Sequence, residues 1–293
     1  MLRRLKTGMV DMQPQSIAIV GGRGRMGSLM GRFLADAGYP VKALDRLEGT
    51  VSWDALADSD VTILAVPIPT LDDVLKELGS FTREDGVVID IASVKERPIQ
   101  SMLRYCRGEV IGTHPLFGPT VGTLRDQTVF VCPARGNRWV GWLTSWLKEQ
   151  KAAVVEIDPA EHDRLMAEVQ VLRHLLLLCF GRTLMKREFD LTENLPISGR
   201  WFSALVAMLS RQLEQPPELY ADIAMHNPAA RDVVVSFVES VVSASALYSS
   251  EDRSGLIDFM NEVSSYLQSQ QPQTSDADES SSLPACNPQR RII

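Results

Sequence analysis

Residues 16–27 read Ser-Ile-Ala-Ile-Val-Gly-Gly-Arg-Gly-Arg-Met-Gly, and no other stretch constrains the fold as tightly. An apolar run from Ser16 to Val20 predicts a short buried strand. Ser28 to Ala37 predicts a helix with Leu29, Met30, Phe33 and Leu34 on one face. Between them Gly22, Gly24 and Gly27 form GxGxxG where strand turns into helix. That junction gathers backbone N–H groups and a helix N-terminus at one point, and the missing Cβ atoms let a pyrophosphate come close. Glycines also make ordinary turns. The strand before and the helix after are what mark a dinucleotide loop, here Gly22, Arg23, Gly24, Arg25, Met26 and Gly27.

A second strand, Pro40 to Leu44, ends at Asp45. An acid at this point, about 20 residues past the glycines, accepts the hydroxyls of a ribose and repels a 2′-phosphate. NAD is therefore expected over NADP. Arg23 and Arg46 work against that preference if they pair with a phosphate; the alternative is that both are solvated loop residues.

Strands and helices alternate through the first half. Apolar runs at Val61–Val66, Gly86–Ile91, Val110–Gly112, Thr128–Cys132 and Ala153–Ile157 alternate with helical stretches at Leu71–Leu78, Pro98–Tyr105 and Arg138–Glu149. Continuous apolar strands between helices predict an α/β fold with a Rossmann-like, doubly wound parallel sheet. After Asp158-Pro159 no strand is convincing. Ala160 to Arg187 reads as one long helix, and shorter helices follow, broken at Pro196, Pro216-Pro217 and Pro228. Ala204–Leu209 and Val233–Val242 are apolar on more than one face, more than about 110 residues can cover alone, so an all-α dimerisation domain and a homodimer are expected. The organisation is an extension over 1–15, a dinucleotide-binding domain over 16–158, a helical substrate and dimerisation domain over 159–267, and a Ser-, Gln- and Asp-rich tail over 268–293 that reads as disordered.

A net charge of −7 with no basic stripe argues against nucleic acid as a partner. Cys106, Cys132, Cys179 and Cys286 show no CxxC spacing, so neither a metal site nor a disulfide framework is expected; Cys132 and Cys179 sit in apolar runs and read as core. The basic N-terminus lacks a signal-peptide core, and Leu175–Phe180 is too short to span a bilayer. A cytoplasmic protein without a membrane anchor is expected, with Met9 or Met12 as alternative starts.

Chemistry in a doubly wound sheet lies outside the carboxyl ends of its strands. Three segments fall there: Val66-Pro67-Ile68-Pro69, Asp90 to Lys95, and Gly112 to Pro119. Val66 and Pro67 adjoin the glycine loop and are expected against the cofactor. His114, in a Gly/Pro-rich loop after a strand, is the expected acid/base group, since imidazole titrates near neutrality. Ser93 and Lys95 either donate to substrate or cofactor or, for Ser93, cap the helix at Pro98. His162 and His174 are twelve residues apart, leaving about 120° between them on an ideal helix, so a shared metal is not expected. His174, beside Arg173, is either a core histidine or a substrate contact. Arg211 can hold a carboxylate bidentately or lie on the surface.

These segments together resemble the prephenate dehydrogenase family, most closely the dehydrogenase half of its bifunctional chorismate mutase–prephenate dehydrogenases. The resemblance covers about Ser16 to Leu267 and is carried by Ile19-Val20-Gly21-Gly22, Val66-Pro67-Ile68, Asp90-Ile91-Ala92-Ser93-Val94-Lys95 and His114-Pro115-Leu116-Phe117-Gly118-Pro119. In the helical half it is carried by Glu161-His162-Asp163, Leu172-Arg173-His174 and Leu219-Tyr220-Ala221-Asp222-Ile223. It implies NAD-dependent oxidative decarboxylation of prephenate, a step of aromatic amino-acid biosynthesis. It also implies roles: His114 assists deprotonation of the substrate's C4 hydroxyl, Ser93 lies beside that hydroxyl, and Lys95 sits at the same strand end. His174 lines the pocket, and Arg211 holds the ring carboxylate, with Arg200 as the competing candidate. Neither a chorismate mutase domain nor a folded regulatory domain is expected in this chain. Thr120-Val121 stands where family members often carry an acid, which keeps 4-amino-4-deoxyprephenate open as the substrate. A nicotinamide-binding regulator is the alternative outside catalysis, and it has no need of an acid/base histidine.

Overall fold

The computed structural model describes residues 13–45 and 53–270. Expectations for Arg46, for starts at Met9 and Met12, for Cys286 and for the tail past Gln270 lie outside the described residues.

Among the described residues, seven strands form one sheet: β1 (Ile17–Val20), β2 (Val41–Leu44), β3 (Val61–Leu64), β4 (Val87–Asp90), β5 (Glu109–Pro115), β6 (Thr128–Arg135) and β7 (Ala153–Glu156), in the order β2-β1-β3-β4-β5-β6-β7. β1 lies between β2 and β3, so the strand order reverses at its carboxyl end, the place where doubly wound sheets bind ligands. The expectation of an all-parallel sheet fails at one pair. β5 and β6 are antiparallel, because no helix lies between Pro115 and Thr128 to carry the chain back across the sheet. That pairing also draws His114 into the ladder opposite Phe130, so it is a strand residue and not the loop residue its Gly/Pro flanks predict.

Both faces of the sheet are covered. Strand side chains alternate sides, so Ile17 and Ile19 join one core while Ala18 and Val20 join the other. The first core packs against α1 (Arg25–Asp36) and α4 (Arg138–Glu149), which contributes Trp139, Trp142 and Trp146. The second packs against α2 (Leu71–Leu78) and α3 (Glu96–Tyr105) through Leu71, Leu75, Leu78 and Met102.

The long helix expected from residue 160 to 187 forms, but not as one regular rod. α5 (Pro159–Met166) is capped by the Asp158 carboxylate, which accepts the N–H groups of Ala160 and Glu161. A π-helical turn follows over Ala167–Leu172, and α6 (Arg173–Lys186) completes the run. Val171 of that turn packs with Ile68, Val94 and Ile223, which seats the helix over the ends of β3 and β4. Then come α7 (Leu191–Asn194), α8 (Gly199–Leu213), α9 (Pro217–His226), α10 (Ala230–Ser249) and α11 (Arg253–Gln270). By internal contacts the chain divides into two compact units, one through Ser236 and one from Phe237. Cys179 is exposed on α6 and is not the core residue its apolar neighbours predict; Cys106 and Cys132 are buried. Among the described helices, Ala230–Ser249 is long and apolar enough to cross a membrane by length and composition.

Candidate active site

The glycine loop is shaped by close approach. Gly21 takes φ +78°, and a Cβ there would lie 2.4 Å from the Ala65 carbonyl oxygen. A Cβ on Gly22 would lie 2.7 Å from that of Ala43, and one on Gly27 would meet the Gly21 oxygen at 2.2 Å. The loop is thus pressed between the ends of β2 and β3, and Gly21 is a required glycine that the GxGxxG pattern passed over. Its sign in the sequence was its place directly behind the strand. α1 starts at Gly24 as N-cap, with no acidic residue in its first turn to compete for the free N–H groups. Side chains at Gly22 or Gly27 would collide with β2 or with the loop's own backbone, and the tight loop with the free N–H groups of the α1 start fits a dinucleotide pyrophosphate. Asp45 is half-buried, and its Oδ2 accepts the Arg23 N–H at 2.8 Å, so one carboxylate oxygen braces the loop. The Arg25 guanidinium donates to Gln215 Oε1 at 3.0 Å, while the Arg23 side chain is exposed. Met26 packs on the first core, Val66 is half-buried under Gly21, and Pro67 is exposed at the end of β3.

A buried polar chain runs from the helical half to β5. Asp163 Oδ1 lies 2.9 Å from His162 Nδ1, and His162 Nε2 lies 2.9 Å from His114 Nδ1. His114 Nε2 faces the Gln170 amide nitrogen at 3.3 Å. His114, His162 and Asp163 are 2%, 0% and 0% exposed. Burial, and after it the proximity of His162 and Lys95, holds the His114 pKa well below the ordinary 6.5, so the imidazole is neutral and able to accept a proton at physiological pH. Sequence reading assigned no chemistry to His162, Asp163 or Gln170. The only sign was the His-Asp pair within Glu161-His162-Asp163.

Asp163 also takes over the start of α3, its carboxylate accepting the N–H groups of Lys95 at 2.7 Å and Glu96 at 3.0 Å. Capping by Ser93 is therefore not what the structure shows. Ser93 is half-buried just past β4, and its hydroxyl caps nothing in α3. Lys95 does not reach into a pocket. It is fully buried, with its ammonium on Asp90 Oδ2 and on the Thr113 carbonyl at 2.7 Å. The expectation of a catalytic Lys95 is corrected: the side chain ties the ends of β4 and β5 together, one residue from His114.

A second cluster sits one turn beyond Gln170. Arg173 Nη2 donates to His174 Nε2 at 2.8 Å, and Tyr220 meets the His174 ring edge-on at 4.4 Å. Burial, and secondarily Arg173, lowers the His174 pKa to about 4, so this ring is neutral. Burial raises the Tyr220 hydroxyl, opposed by the nearby Arg173 and Arg211 guanidinium groups. Two cations thus lie near the Tyr220 hydroxyl, one of them bonded to the neutral His174, an arrangement suited to an anionic ligand. Arg200 is not part of it. It starts the same helix as Arg211, about 16 Å away along the axis, and its guanidinium lies over Trp201 at 4.8 Å.

Residues 35–156 match the nucleotide-binding domain of prephenate dehydrogenase, and residues 158–262 match the prephenate dehydrogenase dimerization domain. The T-protein of Enterobacter agglomerans is 33% identical over 262 residues, covering 89% of this chain and 69% of that protein. The 4-amino-4-deoxyprephenate dehydrogenase of Streptomyces pristinaespiralis is 29% identical over 230 residues, covering 72% of this chain and 77% of its own. The crystal structure of a prephenate dehydrogenase from A. aeolicus with hydroxyphenyl propionate and NAD+ aligns at a TM-score of 0.70 over 88% of this chain and 99% of that one. At 21% identity that likeness is one of fold. The chain spans about two thirds of the length of the T-proteins it matches, 69% and 66%.

Proposed function

The chain belongs to the prephenate dehydrogenase family of NAD-dependent oxidoreductases, and on that premise we propose that its site converts prephenate to 4-hydroxyphenylpyruvate with loss of carbon dioxide. The observation that carries the reading is His114: a buried, neutral imidazole on β5, linked through Gln170 to the helical run that presents Arg173 and His174.

Bound NAD would supply the acceptor for the C4 hydride of the substrate. The glycine loop and the α1 N-terminus would hold its pyrophosphate, and Asp45 would hold its adenosine ribose. Val66 and Pro67, beside the loop, would line the cofactor. His114 accepts the proton of the C4 hydroxyl as that carbon is oxidised, and returns it to the phenol oxygen or to solvent afterwards. Ser93, at the neighbouring strand end, donates to the same oxygen. The C–C bond to the ring carboxylate breaks, its electron pair completes the aromatic ring, and carbon dioxide leaves. Arg211 and Arg173 orient the two carboxylates of the substrate; holding the departing one too tightly would stabilise the ground state and slow its loss.

The protein is read as a soluble, cytoplasmic homodimer. The family match from 158 to 262 is to a dimerization domain, and α10 and α11 expose Val238, Val241, Tyr248, Met260, Val263 and Tyr266. Such apolar surface fits a second copy better than water.

The test is initial-rate kinetics with prephenate and 4-amino-4-deoxyprephenate, each with NAD and NADP. Highest kcat/KM is expected for prephenate with NAD. A preference for the amino analogue would move the chain to that substrate, and no turnover of either would remove the reading.

A further inference from the structure

The polar chain that ends at His114 begins at a group whose role is fixed by backbone. Asp163 accepts the Lys95 N–H on Oδ1 and the Glu96 N–H on Oδ2. A backbone N–H can only donate, so the carboxylate acts here as an acceptor on both oxygens, and the His162 Nδ1 facing Oδ1 at 2.9 Å carries a proton. A neutral His162 then has its lone pair on Nε2. His114 Nδ1 faces that lone pair at 2.9 Å and must donate to it. His114 is left with its proton on Nδ1 and its lone pair on Nε2. The Gln170 amide nitrogen, 3.3 Å away, is the donor that suits that lone pair, whereas a flipped amide would set two lone pairs face to face. With one proton on His162, held on Nδ1 by the Asp163 carboxylate, each assignment follows from the one before it.

We propose that Asp163 and His162 are positioning residues that lock His114 in its Nδ1–H tautomer, making Nε2 the atom that takes the substrate proton, with Gln170 covering that atom until substrate arrives. Water has no access from the far side, since His162 and Asp163 are both fully buried. Asn227 adds a further restraint by donating to the Asp163 backbone carbonyl at 2.8 Å. Gln170 is suited to giving way. Among the described residues its buried Oε1 has no hydrogen-bond partner, so the amide is held by its one contact to His114, and it sits in the π-helical turn. When the substrate hydroxyl displaces it, the same amide can donate to the substrate oxygen as the proton leaves. The catalytic use of Nε2 rests on the reading of His114 as the base; the tautomer itself does not.

The experiment is 15N NMR of the full-length chain labelled at histidine, in which only four residues contribute. Loss of signals in His114→Asn and His162→Asn variants assigns the two rings. In the wild type, His114 and His162 should each show a protonated Nδ1 and an unprotonated Nε2; a protonated His114 Nε2 overturns the proposal. The kinetic arm uses His162→Leu, which removes the acceptor for His114. Its kcat should fall at least about tenfold, within the ~10²–10⁴-fold that a positioned base contributes, with KM for NAD unchanged. His162→Gln, which retains an acceptor and a donor, should recover most of that loss. A folded His162→Leu enzyme with wild-type kcat overturns the proposal, as does equal loss in the Leu and Gln variants. If His162→Leu does not fold, the wild-type spectrum decides. If prephenate is not turned over while the Nδ1–H signal of His114 is present, the functional reading fails and the lock stands.

Discussion

Replacing Lys95 with methionine separates structure from chemistry at the end of β4. Methionine keeps most of the aliphatic stem, so packing changes little. What is lost is the ammonium, which bridges Asp90 Oδ2 and the Thr113 carbonyl. Asp90 is 0% exposed, its Oδ1 has no hydrogen-bond partner among the described residues, and Oδ2 keeps only the Ala92 N–H at 2.9 Å. Removing one member of a buried pair in this way costs about 3–5 kcal/mol. For a chain of this size that is a fall of roughly 6–20 °C in melting temperature. Burial already pushes the Asp90 carboxyl up, against the pull of Lys95. Without Lys95 it rises further. A carboxyl with a raised folded pKa favours the folded state at low pH, so the deficit should shrink as pH falls. Adding Asp90→Asn to the variant should recover more than half of it, because a neutral amide needs no counter-charge. Thermal and urea melts across pH 5 to 8 measure all three effects. If Lys95→Met melts like the wild type yet has lost turnover with prephenate, Lys95 contacts the reactants and the structural account is wrong.

His114→Asn should lower kcat by about 10²–10⁴-fold and leave NAD binding, read by fluorescence titration, nearly unchanged. Because the base must be unprotonated and its pKa lies well below 6.5, the acid limb of kcat/KM should also lie well below 6.5, with activity kept above it and lost beneath it; a limb at 6.5 or higher contradicts the burial argument. The same depressed pKa values make the fold less stable as pH drops from 6.5 toward 4, by up to about 1.4 kcal/mol per pH unit for each of His114 and His174, which denaturant titrations at several pH values will show. Arg211→Ala should raise KM for prephenate about 10- to 100-fold, the worth of a charge-assisted contact, while Arg200→Ala should leave it unaltered; the reverse result would transfer the carboxylate to Arg200. Asp45→Ala should narrow the preference for NAD over NADP, measured as the ratio of kcat/KM values, and an unchanged ratio would take the ribose contact away from Asp45.

Local features were legible and long-range ones were not. The strand before Gly21, the helix after it and the full span of Leu71–Leu78 follow from apolar period and glycine chemistry alone. His114 was found as a titratable group, yet its flanking Gly112 and Pro115 hid the strand, because only the partner Phe130 on β6 pulls it into the ladder. Lys95 reads as a solvent-seeking cation until Asp90, five residues earlier at the strand end, is seen to neutralise it in the core. The π-helical turn at Ala167–Leu172 has no local signature, since its residues suit a regular helix equally well. It matters because it changes the phase between His162 and Gln170, and both reach His114. The 120° computed for an unbroken helix between His162 and His174 therefore does not describe this one.

Asp163 shows why the site resisted reading from sequence. Its carboxylate stands in for a helix cap 67 and 68 residues away in the chain, at Glu96 and Lys95, while the same group orients His162. Neither job is visible from the sequence around it. Joined in one side chain, the two jobs tie the chemistry to the fold. The segment that carries Ser93 and the imidazole that serves His114 answer to one acceptor, so anything that tilts α5 away from the start of α3 disturbs both at once. An amide cannot substitute. In Asp163→Asn the side chain would offer one acceptor oxygen to three donors, and its nitrogen would meet either a backbone N–H or the His162 N–H. Asp163→Asn is therefore expected to lose stability and turnover together, unlike His162→Gln, which retains the cap. Parallel measurement of melting temperature and kcat in the two variants distinguishes them, and an Asp163→Asn protein that melts normally would show that α3 does not depend on this carboxylate.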